Sequence, residues 1–297
     1  MRLAKSDAAI VTEAMANTKD GAGLGFPDYV AYWLKRDAQP AIKNIRSRYP
    51  ALTDQELEWK TRFDWISDWP NGWYLRGMAR RLATGDIAEF SLFMQMYVRQ
   101  SLLNLTANED EFTEVWPLFH ALAIQDQPTV DQYVKIATFP LKEGHPDTRL
   151  IYNCVHALLR ARVSQGKTML KKRSAGKTPD WIEGIIACMQ GVIAHDASQV
   201  AVGMEQHLQG FRKATRINPL EKIISLVAHG LYRLAERIDP DLVAQVDIAR
   251  DLPWDRELHD WSSIRVPTLS LTDFGKCPSP LAMAFVALDR PSWVPAG

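Results

Sequence analysis

Two kinds of side chain in this sequence have types and spacing that could do chemistry. The first is a set of acids: Glu109, Asp110, Glu111 and Glu114, followed by Asp126 and Asp131. Clustered carboxylates make a field that attracts and orients a basic partner. The second is Ala194-His195-Asp196, a His–Asp pair placed directly after the apolar run Ile182, Ile185, Ile186, Met189, Val192, Ile193. His156 lies upstream in another apolar helical pattern. Other constellations fail. The chain has no Gly-x-Ser-x-Gly elbow, no Walker loop, no His-Glu-x-x-His and no Cys-x-x-Cys. Gly21-Ala22-Gly23-Leu24-Gly25 has no strand before it and reads as a connection after the first helix.

The His–Asp pair resembles the signature of HD-type phosphohydrolases. That resemblance implies a divalent metal, held by histidines and aspartates from several helices, that activates water. His156, His195 and Asp196 would be its ligands, with Asp247 or Asp251 as later partners. Helical geometry argues against it. At ~100° per residue, His156 and His195 each fall about 130° from the centre of their helix's apolar stripe, whereas such a site needs inward-facing positions. No second downstream histidine occupies a ligand position. Asp196 is better read as the N-cap of a helix over 197–215. The expectation is therefore no metal, no cofactor and no enzyme.

Charge is uneven although the total is not. Lys+Arg and Asp+Glu are both 35, so a globally basic nucleic-acid binder is not expected. Yet Leu82–Val134 holds eight acids against the single base Arg99, a local charge of −7. Acids opening a helix at Asn108-Glu109-Asp110-Glu111 would complement its positive end. Arg76, Arg80 and Arg81 just upstream would neutralise part of the charge. The alternative is an acidic docking face. Lys167, Lys171, Lys172, Arg173 and Lys177 form a basic stretch without interleaved aromatics, expected as a solvated loop over 167–179, or, if the chain is a helical scaffold for an endogenous peptide or nucleic-acid partner, as part of its contact surface. Trp59, Phe63, Trp65, Trp69, Trp73 and Tyr74 make either a recognition surface or a corner of the core near Pro70-Asn71-Gly72; the core is the preferred reading.

The elements that must position these residues are helices. Leu220, Ile223, Ile224, Val227, Leu231, Leu234 and Ile238 follow one helical stripe, and Ile151, Cys154, Val155, Leu158 and Leu159 another. Strand-like alternation is almost absent. Pro128, Pro146, Pro179, Pro219 and Pro240 mark helix starts. Thr53-x-x-Glu56 predicts a capping box for a helix over 54–68, and Gly85-Asp86 a junction between helices near 72–84 and 87–104. The prediction is an all-α chain of about twelve helices in antiparallel hairpins. Turns are expected near Asp86, Asp126, Gly166, Asp196 and Asp239, a spacing close to that of helical-hairpin repeats. Leu82–Asp86 leading to Met94 and Val192–Asp196 leading to Met204 look alike. One domain over 1–297 is expected, with a possible subdivision into 1–166 and 180–297 around the basic stretch. Repeated proline after Leu252 predicts an irregular closing segment that packs across the array.

No run approaches a membrane span. The N-terminus lacks a secretion signal, and Cys154, Cys188 and Cys277 make no disulfide framework. Cytoplasmic location follows as an expectation. The helix pairs joined at Leu82–Asp86 and Val192–Asp196, with the closing segment from Arg265-Val266-Pro267 to Pro280-Leu281, resemble helical immunity proteins of bacterial toxin systems, including those paired with type VI secretion effectors. The resemblance covers roughly residues 70–285. It implies tight binding of a cognate toxin, such as a basic nuclease domain, whose active site or substrate channel is blocked. Glu109, Asp110, Glu111, Glu114, Asp126 and Asp131 would then meet the toxin, mimicking a phosphate backbone.

Overall fold

The computed structural model describes residues 5–17, 35–50, 52–54, 57–58, 61, 70–108, 115–171 and 178–261. Among them there are twelve α-helices and no strand. The chain forms two compact units. The first carries α1 (Lys5–Asn17), α2 (Gln39–Ile45), α3 (Pro70–Thr84) and α4 (Ile87–Asn108). The second, Asp110–Ile264, carries α5 (Val115–Ala123), α6 (Gln127–Ile136), α7 (Pro146–Leu159), α8 (Val163–Lys171), α9 (Asp180–Ala194), α10 (Ala197–Lys213), α11 (Leu226–Ile238) and α12 (Arg256–Asp260). Segments on both sides of the basic stretch 167–179 therefore belong to the same unit. Among the described residues no helix is long and apolar enough to cross a membrane.

In the first unit α3 and α4 form an antiparallel hairpin. Tyr74 meets Tyr97 at 5.1 Å between ring centroids, and Arg80 pairs with Glu89 at 2.7 Å nearer the turn. Trp73, Met78, Phe90, Phe93 and Met94 are buried between them. Trp73 and Tyr74 thus belong to the core; Trp59, Phe63, Trp65 and Trp69 lie outside the described residues. So does most of the helix expected over 54–68.

The second unit is built around the α9–α10 hairpin. Positions Trp181 and Gly210, Gly184 and His207, Cys188 and Gly203, and Gly191 and Val200 face one another in a single antiparallel register. Four of these eight residues are glycines, and they let the two backbones approach closely. A Cβ on Gly191 would stand 2.6 Å from the Val200 nitrogen, and one on Gly210 would stand 2.6 Å from the Trp181 nitrogen. A Cβ on Gly184 or Gly203 would fall onto the backbone of His207 or Cys188. α11 packs against α5, α9 and α10, while α7 packs against α8 and α9. Ile185, Ile186, Met189, Met204, Leu208, Leu231 and Leu234 are buried where these helices meet. Each such side chain removed from water contributes about 1.5–3 kcal/mol.

Three turns use one device. At Gln125-Asp126, Ala161-Arg162 and His195-Asp196 the first residue has a left-handed backbone, with φ of 57°, 55° and 53°. The next residue donates its N–H back to a carbonyl five positions earlier: Asp126 to Ala121, Arg162 to Ala157 and Asp196 to Gly191. This is the Schellman closure of a helix C-terminus. Gly85, at φ +74°, ends α3 in the same left-handed region, and Asp86 caps α4 through the Glu89 N–H at 2.9 Å.

Several expectations need correction. The turn placed near Gly166 falls at Ala161, because Gly166 is buried inside α8. Lys167 and Lys171 are therefore exposed helical residues, not loop, while Lys172, Arg173 and Lys177 lie outside the described residues. The stripe from Leu220 to Ile238 is not one helix. Asn218 accepts the Leu220 N–H at 3.0 Å and draws the chain into turns, so α11 begins only after Ser225, whose Oγ caps the Ala228 N–H. Pro240 opens a single 3-10 turn, Pro240–Val243.

Ala161 is exposed and non-glycine in a left-handed backbone, which costs an L-residue about 1–2 kcal/mol. Ala161→Gly should raise stability by about 0.5–1 kcal/mol in urea denaturation. Gly203→Ala should lower it by about 1–3 kcal/mol despite alanine's better helix propensity, because the new methyl meets backbone that cannot yield.

Candidate functional site

Of the acids singled out from sequence, Glu109, Asp110, Glu111 and Glu114 lie outside the described residues. In sequence they occupy the six positions between the last residue of α4 and the first of α5. Asp126 is not a surface residue. It is 4% exposed at the start of α6, and its carboxylate accepts the Thr129 hydroxyl at 2.7 Å. Asp131 is exposed on α6, 3.9 Å from Arg237 of α11. Asp86 caps α4 and Glu89 pairs with Arg80, so part of the local −7 is spent inside the first unit.

Arg237 and Asp131 flank a cleft of about 350 Å³ in the second unit, where the α5–α6 turn faces α11. Leu122, Gln125, Gln127, Val130, Arg233, Glu236 and Arg237 line it. Its charges are already paired. Arg237 donates to the Gln127 side chain at 2.7 Å, and Arg233 pairs with Glu236 at 2.7 Å. Gln125 donates to the Trp261 carbonyl at 2.9 Å, and Arg233 to that of His259.

The His–Asp pair is a helix junction. His195 is the left-handed residue that closes α9, and its exposed ring lies 3.3 Å from Asp239. Asp196 caps α10 through the Gln199 N–H at 3.0 Å. His156 departs from its helical-wheel expectation: it is 1% exposed, not outward-facing. The loop between α6 and α7 folds over it. Asn153 clamps that loop by bonding both the N–H and the carbonyl of Leu141, and the Phe139 and Tyr152 rings lie tilted beside the imidazole. A helix face polar by sequence is covered by an irregular segment whose path a wheel does not represent. His156 Nδ1 has no hydrogen-bond partner among the described residues. The structure does not bring His156, His195 and Asp196 to a common centre. Among the described residues no three His, Cys, Asp or Glu side chains group as metal ligands would.

Two histidines missed from sequence are built into the fold. His207 of α10 is fully buried. Its Nδ1 lies 2.8 Å from the Trp181 carbonyl, so Nδ1 carries the proton, and Nε2 accepts the Ser225 hydroxyl at 3.1 Å. His229 of α11 accepts the Asp255 N–H on Nε2 at 3.2 Å and stacks on Trp254 with centroids 3.8 Å apart. His207 was legible, since it falls on the stripe Val200, Met204, Leu208, Phe211. His229 was not, since its partner comes from 26 residues away.

Burial dominates the acid–base behaviour. It pulls His120 and His156 down to about 3, with Arg160 adding to the effect on His156, and His207 down to about 4. His229 lies well below its ordinary 6.5. The same desolvation pushes Cys154 and Cys188 up to about 12, leaving both as unreactive thiols.

Neither family models, nor curated proteins, nor solved structures match the chain. The fold itself defines the class: an all-helical protein of packed antiparallel hairpins.

Four neutral buried histidines make the unfolded state bind more protons than the folded one once pH drops below about 6.5. Their contribution is intact above 6.5 and is lost as pH falls toward 4, at about 1.4 kcal/mol per pH unit for each histidine. The midpoint of thermal unfolding of the second unit should fall steeply between pH 6.5 and 4.5; a flat profile would contradict the neutral, buried assignment.

Proposed function

We propose that the protein is an immunity-type inhibitor, which binds a cognate bacterial toxin or effector and occludes its active site. The observation that carries the reading is the charge distribution. A neutral chain concentrates net −7 in Leu82–Val134, with four acids in the six residues that separate α4 from α5 in sequence. Such a field raises the association rate with a basic partner and disfavours acidic ones. Glu109, Asp110, Glu111 and Glu114 are the acids assigned to the partner, together with exposed Asp131; Asp126 is not among them because it is buried. A nuclease domain with a basic cleft is the fitting partner, the acids standing in for phosphates. The resemblance of the hairpin junctions to helical immunity proteins supports the same reading. So does the engagement of His195 and Asp196 in closing and capping helices, where their polar groups serve the turn. In this reading the protein works in the reducing cytoplasm, where the buried thiols of Cys154 and Cys188 stay unpaired.

A toxin domain should be encoded beside its gene, and co-expression of the two should restore growth to cells that the toxin alone arrests. The quadruple reversal Glu109→Lys, Asp110→Lys, Glu111→Lys, Glu114→Lys should weaken the complex at least tenfold and flatten its salt dependence. Continued growth arrest on co-expression would overturn the proposal. Unchanged affinity in the reversal would remove these acids from the interface.

A further inference from the structure

Residues 252–261 run along α11 as a strap, with Leu258 and Asp255 buried, and specific hydrogen bonds tie it to that helix. The Pro253 carbonyl accepts the Ser225 N–H at 2.9 Å, at the first turn of α11. The Asp255 N–H donates to His229 Nε2, and Trp254 stacks on the same imidazole. Further along, the carbonyls of His259 and Trp261 accept from Arg233 and Gln125. Asp255 also caps α12 through the N–H groups of Glu257 and Leu258, so the strap's own helix is nucleated at the residue that His229 holds.

We propose that this strap is released by acid: protonation of His229 detaches Leu252–Trp261 from α11. The reason is stereochemical. Nε2 is the acceptor for a backbone N–H, and an imidazolium presents N–H on both nitrogens. Protonation turns the Asp255 contact into two opposed donors and places a charge against the Trp254 ring in a buried site. Its neighbours do not relieve that charge. Arg233 on α11 and His259 on α12 both oppose it. The carboxylates of the surrounding elements have other engagements: Glu236 pairs with Arg233, Asp255 caps α12, and Asp260 lies 3.9 Å from His259. Arg256 is turned to the Ile248 carbonyl. The titratable groups on α10 and α5, His207 and His120, are themselves held neutral by burial. Once the strap lifts, His229 regains its ordinary affinity for a proton. Release also frees Arg233 and Gln125 from their strap carbonyls, and both line the cleft beside α6. This inference does not depend on the toxin-binding reading.

Amide hydrogen exchange on the intact chain tests it. The Asp255 N–H should exchange faster than that of Met189 in α9 at every pH, because the strap opens without unfolding the hairpin. Its protection factor should fall at least about thirtyfold between pH 7.5 and 5, the linkage expected for one histidine of ordinary affinity in the open state. His229→Gln keeps an acceptor for the Asp255 N–H but cannot be protonated, and should shrink that fall by about the same factor. An equally large fall in His229→Gln would overturn the proposal. So would identical protection and pH slope for Asp255 and Met189 in the unsubstituted protein. That comparison decides the matter even if the variant does not fold.

Discussion

The close approach of α9 and α10 is the constraint on which the second unit depends. Glycines at 184, 191, 203 and 210 bring two helix backbones to a separation that no side chain could share. At that distance the hairpin register is fixed without interdigitating large residues. The remaining apolar surface of both helices is then free to face outward to α7 and α11. The turn between them must also be tight. His195 accepts a left-handed backbone and Asp196 starts the next helix at once. The His–Asp pair is thus a consequence of helix geometry, in a position where chemistry could have been read.

The buried histidines depend on the same packing. His207 reaches the Trp181 carbonyl because the hairpin places α10 directly against the first turn of α9. Its other nitrogen takes the hydroxyl of Ser225, which in turn caps α11. Three helices are joined through one neutral imidazole. His229, one turn further along α11, does the same for the strap. A polar group in a dry core is costly unless it is hydrogen-bonded, and the bonds that His207 accepts from Ser225 and His229 accepts from Asp255 both need an unprotonated Nε2. The unit's cohesion is therefore tied to pH by its construction.

Electrostatics outside the core follows a different logic. Where acids serve the fold, they are capped, paired or buried, as Asp86, Glu89 and Asp126 are. The acids between α4 and α5 fall where the chain passes from one compact unit to the next. A carboxylate's sign can be read from sequence; whether it faces solvent or a neighbouring donor depends on which groups the fold brings beside it. Of Asp126 and Asp131, five residues apart, the first is buried against the Thr129 hydroxyl and the second stays exposed beside Arg237.

Helical class, the hairpin junctions at Gly85-Asp86 and His195-Asp196, the α10 start at Asp196 and the burial of Cys154 and Cys188 were all determined by the sequence itself. They arise from local periodicity, capping and backbone preference, which act within a few residues. Tertiary structure alone decided the rest. It joined the start of α11 to α10, because His207 takes the hydroxyl of the capping Ser225. It buried His156 under the Phe139–Leu141 segment, and it gave His229 a partner from the strap. In each case the deciding group lies on another element, and the periodicity of one helix holds no information about what packs across it.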